Sequence, residues 1–499
     1  MRAQALMVVG TASHVGKSVV TTALCRIMAS DGRRVAPFKA LNMSLNAAVT
    51  PDGFEIARAQ AVQAEAAGIA PSRHMNPILL KPSGGGRSQL VLQGRAVAAA
   101  EAQALDAGAL WSRVRESLEA LAAGYDVLVI EGAGSPVELN LRQRDLGNMR
   151  VAEAADAAVL LVADIDRGGV FASVHGTLAL MSPDERRRVG GVAVNRFRGD
   201  PGGFAEGRRL LEHLARRPVL GVIPFIEDLG IDEEDGVGLA SPRYRVAPGH
   251  PDALKVAIVA LPHLSNFTDF DPLFQSAGVE PYFCAHPRDL GAPQLIILPG
   301  TKNTPDDLAW LWRSGFARSI LAHHGAGGHV LGICGGYQML GRVVCDPGHV
   351  ESSRTEVAGL GLVDAVTTLT AVKRTARVTG TLCALFPGTP LAGYELHAGE
   401  TAATGPVLPL ARVLGTGDAG AHDDGCVAHD GRVVGTYLHG VLDGEAFRSR
   451  YLRHLSAAFR LPPLPARAPT PVDPVDRLAA VVREHLDMDR VYGLMAALR

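Results

Sequence analysis

Short, unbroken apolar runs recur along this chain, separated by longer stretches in which apolar residues return at helical spacing. In the first half the runs are Ala5–Val9, Val35–Lys39, Tyr125–Glu131, Ala157–Ala163, Gly190–Asn195 and Val219–Pro224. A strand buried on both faces needs a run of that kind. Val19–Ala29 and the alanine-rich Glu55–Ala67 carry the helical pattern. Strand and helix alternating in this way predict a parallel sheet covered by helices on both faces. The pattern breaks over Ala240–Pro251, where Ser241-Pro242 and Pro248-Gly249 mark an irregular linker. It resumes with Lys255–Ala260, Gln294–Pro299, Val330–Ile333 and Val433–His439. Beyond residue 445 the chain turns helical, with a proline-rich break at Pro462–Pro474. The expectation is an α/β protein of two domains, 1–240 and 252–445, followed by a helical extension over 446–499.

Composition narrows the class. The chain has 499 residues, too many for one core, with 47% hydrophobic and 20% charged residues, a globular balance. Net charge is −2 and no long basic block occurs, which argues against nucleic-acid or anionic-membrane partners. No apolar run approaches the about 18 residues of a membrane span. The N-terminus enters a strand and a glycine loop directly, unlike a signal peptide. Six scattered cysteines form no CxxC pair, so neither a zinc knuckle nor a disulfide framework is indicated, and a reducing cytoplasm is expected.

The first chemical signal is the loop Gly10-Thr11-Ala12-Ser13-His14-Val15-Gly16-Lys17-Ser18, set between a strand and a helix. Backbone N–H groups and the helix start cradle phosphate in that context. Lys17 would neutralise phosphate charge and Ser18 would bind Mg²⁺. Thr11 stands where the common phosphate loop carries its first glycine. Lys39 closes the second run. Asp52, in the turn Pro51-Asp52-Gly53, is either a metal-facing carboxylate or an ordinary turn residue. Asn76–Gly86, with Lys81 and three glycines, is either a substrate loop or a flexible connection. Glu131 ends its strand just before Gly132 and Gly134, where a carboxylate can hold Mg²⁺ beside phosphates. Asp164, Asp166 and Arg167 suit either a charged-substrate site or an internally paired loop. Asn195, at another strand end, offers the paired donor and acceptor that match an adenine edge.

The second signal is His329–Gly341, in which Gly332 and Gly336 flank Cys334. G-x-C-x-G is the thiol form of a nucleophile elbow, a tight strand-to-helix turn that lifts one reactive atom clear of the backbone. A thiol at a helix start faces the positive end of the helix dipole, a setting that favours the nucleophilic thiolate. A lone cysteine is more often a core residue; the two glycines and a downstream base reverse that. The favoured base is His439, followed by Gly440, with His397 second. The turn at Gly300 and the N–H of Gly335 are candidates for an oxyanion hole. A thiol glutaminase beside a phosphate loop implies an ATP-driven amide synthetase.

Taken together, GTASHVGKS, FKALNMSLN, PDGFEIARAQ, VIEGAGSPVELN, ADIDRGGVFAS, VNRFRGD, SNFTDFD, PGTKNT, GICGGYQMLG, GYELHAGET and GTYLHG resemble the cobyric acid synthase family over nearly the whole chain. That resemblance implies a dethiobiotin-synthetase-like P-loop domain joined to a class I, flavodoxin-like glutamine amidotransferase domain. It implies ATP and Mg²⁺ at Gly16, Lys17 and Ser18, magnesium at Asp52 and Glu131, phosphate and adenine near Lys39 and Asn195, and glutamine hydrolysis at Cys334 and His439. The implied substrates are L-glutamine and adenosylcobyrinic acid a,c-diamide, amidated at carboxylates b, d, e and g. Alternatives are a cobyrinic acid a,c-diamide synthase, a partitioning-type ATPase switch and a glutamine-sensing module with an inert thiol. Class I amidotransferases usually place a glutamate two residues after the histidine. Here Val441 stands in that place, and Glu395 is the substitute that the sequence offers.

Overall fold

The computed structural model describes residues 3–84, 87–227, 229–230, 244, 249–416, 420–465 and 473–497. The six apolar runs of the first half form one sheet, in the order Val219–Pro224, Val189–Phe197, Ala158–Asp164, Gln4–Gly10, Val127–Glu131, Val35–Phe38. All neighbours are parallel. Successive strand residues point to opposite faces, so Met7 and Val9 enter one core while Leu6 and Val8 enter another. Helix Lys17–Ser30 covers the second face with Val20, Leu24, Ile27 and Met28.

The later runs build a second sheet, ordered Val279–Cys284, Leu254–Val259, Leu295–Leu298, His329–Ile333, Val433–Thr436, Cys426–Ala428. Only its last pair is antiparallel. A third, largely antiparallel sheet is built on the long hairpin Ala365–Leu382 with Pro390–Ala403.

Several elements differ from the sequence expectation. Val433–His439 is not one strand: Val433–Thr436 stays in the parallel sheet, while Leu438–His439 crosses to pair with Tyr394 and Glu395. Glu55–Ala57 is a strand paired with Ala47–Val49, and the helix begins only at Arg58. Ile78–Gly84 is a strand rather than a loop, paired with Arg87–Leu92; residues 85–86 lie outside the described residues. The linker at 240–251 falls largely outside them too. The stretch 446–499 does not behave as one extension. Helix Glu445–Ala458 puts Phe447, Tyr451 and Leu455 into the second domain. Helices Pro474–His485 and Met488–Ala497 return to the first sheet and bury Leu478, Val482, Val491 and Met495 on its Leu6–Val8 face. Among the described residues no helix is long and apolar enough to cross a membrane.

Candidate active site

Strand His329–Ile333 ends on Cys334, whose backbone sits at φ 53 and ψ −111. A non-glycine residue held there stores about 1–3 kcal/mol of strain, so its surroundings must hold it. They do: the Cys334 N–H donates to the Thr436 carbonyl at 2.8 Å, and a side chain at Gly336 would strike the Leu298 carbonyl. The glycines are therefore required by close backbone approach, as the elbow pattern predicts.

His439 is buried beside the thiol. Its Nδ1 meets Asp269 Oδ2 at 2.7 Å, and the Gly440 N–H donates to Asp269 Oδ1 at 3.0 Å. Burial pulls the imidazole pKa down, but the Asp269 carboxylate and the Cys334 thiolate outweigh it and raise it from 6.5 to about 10. The ring of Tyr394 stacks on His439 with centroids 5.4 Å apart. Asp269 is the acid that the sequence reading missed. Glu395, the substitute proposed for that role, is engaged elsewhere, by Arg374 at 2.7 Å and His422 at 2.9 Å. Burial opposes its ionisation, yet His397, His422 and Arg374 hold it down to about 2. His397, the second candidate base, stacks on Tyr437 at 3.7 Å and points Nδ1 at the Gly399 carbonyl. Both oxyanion candidates border the site. A Cβ on Gly300 would lie 2.9 Å from His439 Cε1, and Gly335 opens the helix Gly335–Leu340, whose first amides have no intrahelical acceptor.

At the other centre, the glycine loop closes on helix Lys17–Ser30 through Gly16 at φ 97. Ser18 Oγ donates to Glu131 Oε1 at 2.8 Å, and Lys39 Nζ reaches the same oxygen at 2.9 Å. Lys17 Nζ lies over the loop, 3.1 Å from the Ala12 carbonyl. Gln63 Nε2 occupies Glu131 Oε2 at 2.6 Å. The sequence reading passed over Gln63, although Gln60 and Gln63, one helical turn apart and both wholly buried, are an unusual pair for a scaffold helix. Asn195 turns inward: its amide donates to the Val15 carbonyl at 2.9 Å and braces the loop, so that donor is not offered to an adenine edge. Asp52 does not join this centre. It sits exposed at the tip of the hairpin and accepts from the Thr50 hydroxyl at 2.5 Å. Among the described residues it shares no hydrogen bond or ion pair with Ser18 or Glu131.

A serine hydroxyl and a carboxylate oxygen so close together are suited to a small hard cation that keeps phosphate and water ligands. Among the described residues no group of three or more His, Cys, Asp or Glu forms a dedicated metal cage. A cleft of about 870 Å³ is bordered by Leu41, Ala133, Arg142, Asn148, Met149 and Arg150; Leu41 and Ala133 follow Lys39 and Glu131 by two residues. Asp164, Asp166 and Arg167 form a paired surface cluster with Arg196 and Arg198.

Residues 255–447 match the CobB/CobQ-like glutamine amidotransferase domain family, and residues 4–232 match an AAA domain family. Fold, site and family matches define the class: an enzyme that joins a glutamine amidotransferase to a P-loop ATPase-type domain. A cobyric acid synthase of Chloroflexus aurantiacus is 49% identical over 491 residues, covering 96% of each chain. Those of Pelotomaculum thermopropionicum and Salmonella agona are 45% and 46% identical over 99% of this chain and 97% and 98% of theirs. The chain belongs to the cobyric acid synthase family, ligases of cobalamin biosynthesis.

Proposed function

We propose that this enzyme amidates carboxylates b, d, e and g of adenosylcobyrinic acid a,c-diamide, using ATP to activate each carboxylate and glutamine as nitrogen donor. One observation carries the reading: an imidazole hydrogen-bonded to a carboxylate lies beside a thiol, in a chain that also carries a phosphate loop whose serine meets a buried glutamate. That the similar proteins are cobyric acid synthases supports the acceptor.

In the glutaminase half, the Cys334 thiolate adds to the carboxamide carbon of glutamine. The Gly335 N–H and the Gly300 turn face the developing oxyanion. His439, kept protonated by Asp269, gives its proton to the departing nitrogen; ammonia leaves and a glutamyl thioester remains. Neutral His439 then takes a proton from water as it attacks the thioester, and glutamate departs with the thiolate restored. In the synthetase half, Lys17 and Lys39 offset phosphate charge, and Ser18 with Glu131 would hold Mg²⁺. When bound, that ion supplies charge neutralisation on the phosphates. An acceptor carboxylate oxygen attacks the terminal phosphorus of ATP and the bond to ADP breaks, forming an acyl phosphate. Ammonia adds to the acyl carbon and phosphate leaves, giving the amide. The cleft bordered by Ala133, two residues beyond Glu131, gives a bulky acceptor room.

The test incubates the protein with ATP, Mg²⁺, glutamine and candidate corrinoids and counts added amides by mass spectrometry. Four amides on the a,c-diamide are expected. Two on the unamidated acid would make it an a,c-diamide synthase. Cys334→Ala should lose glutamine-dependent but keep ammonia-dependent synthesis; loss of both in a folded variant would refute the division of labour.

A further inference from the structure

Resting on the assignment of Cys334 and His439 to glutamine hydrolysis, we infer that the phosphate-loop domain positions the glutaminase histidine through its segment Asn46–Ala47, with Asn266 as the receiving residue. Asp269 lies on a short element that begins at Asn266, a residue in the left-handed region at φ 53. Its side chain is 2% exposed and is fully used by the other domain and by Tyr394. Oδ1 accepts from the Ala47 N–H at 3.2 Å, while Nδ2 donates to the Ala47 carbonyl at 3.2 Å and to Tyr394 Oη at 2.9 Å. Asn46 Oδ1 accepts from the Phe267 N–H at 3.2 Å, one residue further along. Tyr394 Oη also donates to the Ala47 carbonyl, at 3.0 Å.

Two neighbours of His439 thus lean on the same short segment of the first domain. One is the Tyr394 ring stacked on its face; the other is the element that carries Asp269 to its Nδ1. Ala47 and Val49 also pack against Leu396, whose carbonyl faces Cys334 Sγ at 3.7 Å. Imidazole geometry at a thiol is sensitive on the scale of about 1 Å, so a clasp on both neighbours fixes the ring where it must act. Asn46 and Ala47 are not free to drift: the Asn46 carbonyl accepts the Arg58 N–H at 3.1 Å, and Ala47 pairs with Ala57.

Asn266→Gly tests this in the full chain, because glycine accepts the positive φ and removes only the side-chain bonds. Tyr394→Phe keeps the stacked ring and removes its hydroxyl. Each is expected to lower kcat for glutamine hydrolysis about 10- to 100-fold with KM little changed, since the lost contacts serve the transition state rather than ground-state binding. The alkaline limb of kcat should also move to lower pH as Asp269 loosens from Nδ1. Ammonia-dependent synthesis should be unchanged. Asn46→Ala, made in the other domain, should reproduce the effect, and Asn266→Gly with Tyr394→Phe should cost less than the product of the two, because both act through Ala47. Wild-type glutaminase in Asn266→Gly, or a fall in both activities with an unshifted pH profile, would overturn the inference. Retained glutaminase in Cys334→Ala would instead refute the assignment on which it rests.

Discussion

At the scale of single residues, several groups that end an apolar run could be picked out in the sequence, while those that reach in from another part of the chain could not. Cys334, Glu131 and Lys39 all sit at strand ends, and the structure places each at a centre. Asp269 stands 170 residues before His439 in sequence, so no spacing rule could pair them; its only trace was the polar stretch SNFTDFD. Asn195 has the right position but faces the loop, because only the folded chain shows that the Val15 carbonyl needs a donor. Asp269→Asn is expected to keep the side-chain shape, remove the negative charge and lower glutamine-dependent kcat/KM by about 10²- to 10⁴-fold. The sign of the pH effect follows from its cause. His439 titrates near 10 because Asp269 and Cys334 favour the imidazolium; without the carboxylate, burial pulls the value back down. The alkaline limb of glutaminase activity should therefore move downward by pH-rate analysis, while ammonia-dependent synthesis persists. The same contact stabilises the fold fully below about 6.5, and that contribution fades as pH rises through about 10. Asn195→Ala should free the Val15 carbonyl and raise KM for ATP about 3- to 10-fold, measured in the ammonia-dependent reaction.

At the scale of elements, most parallel strands were legible because burial on both faces makes them unbroken apolar runs, although the edge strand Val279–Cys284, only partly buried, escaped notice. The antiparallel parts were not. Residues Glu55–Ala57 carry a helical sequence pattern, yet they pair with Ala47–Val49, and the reason lies in Glu55. Its carboxylate is 1% exposed and takes Lys81 on Oε1 at 2.7 Å and Lys373, from the other domain, on Oε2 at 2.6 Å. Tertiary ion pairing overrides local propensity here. Burial opposes ionisation of Glu55, but the two ammonium groups hold its pKa down to about 2; burial, with Lys81 and Lys302 nearby, drops Lys373 to about 8 although Glu55 favours its charged form. Glu55→Gln leaves two buried ammonium groups with no counter-charge, a change of about 3–5 kcal/mol, and should lower the thermal midpoint by several degrees. Because the folded pKa is depressed, the stabilisation is present above about 4.5 and is lost as pH falls toward 2. The wild-type midpoint should drop over that interval, and the glutamine variant should lack that component of the fall.

At the scale of the whole molecule, the pairing of a phosphate-loop domain with a thiol domain could be seen in the sequence, but the return of the chain to its start could not. A helical pattern near a terminus says which face is apolar and nothing of which sheet receives it. Here Leu478, Val482, Leu486, Val491 and Met495 close the face formed by Leu6, Val8 and helix Lys17–Ser30. Arg483 pairs with Asp31 at 2.6 Å and Arg26 with Asp476 at 3.2 Å, which set the register of that contact at its rim. The first domain is thus completed by the last residues of the chain, while helix Glu445–Ala458 belongs to the core of the second. Val482→Asp separates the two contributions. Val482 is wholly buried among apolar side chains, so an aspartate there would be a buried, unpaired charge costing several kcal/mol, or would force the helix off the sheet. The damage should be confined to the phosphate-loop domain, since no residue of the two second-domain cores comes from 473–497. Calorimetry should show the unfolding transition of the first domain moving down while that of the second holds its temperature, and ammonia-dependent synthesis should fall with it. If both transitions move together, the terminal helices serve the two domains as one cooperative unit rather than closing the first alone.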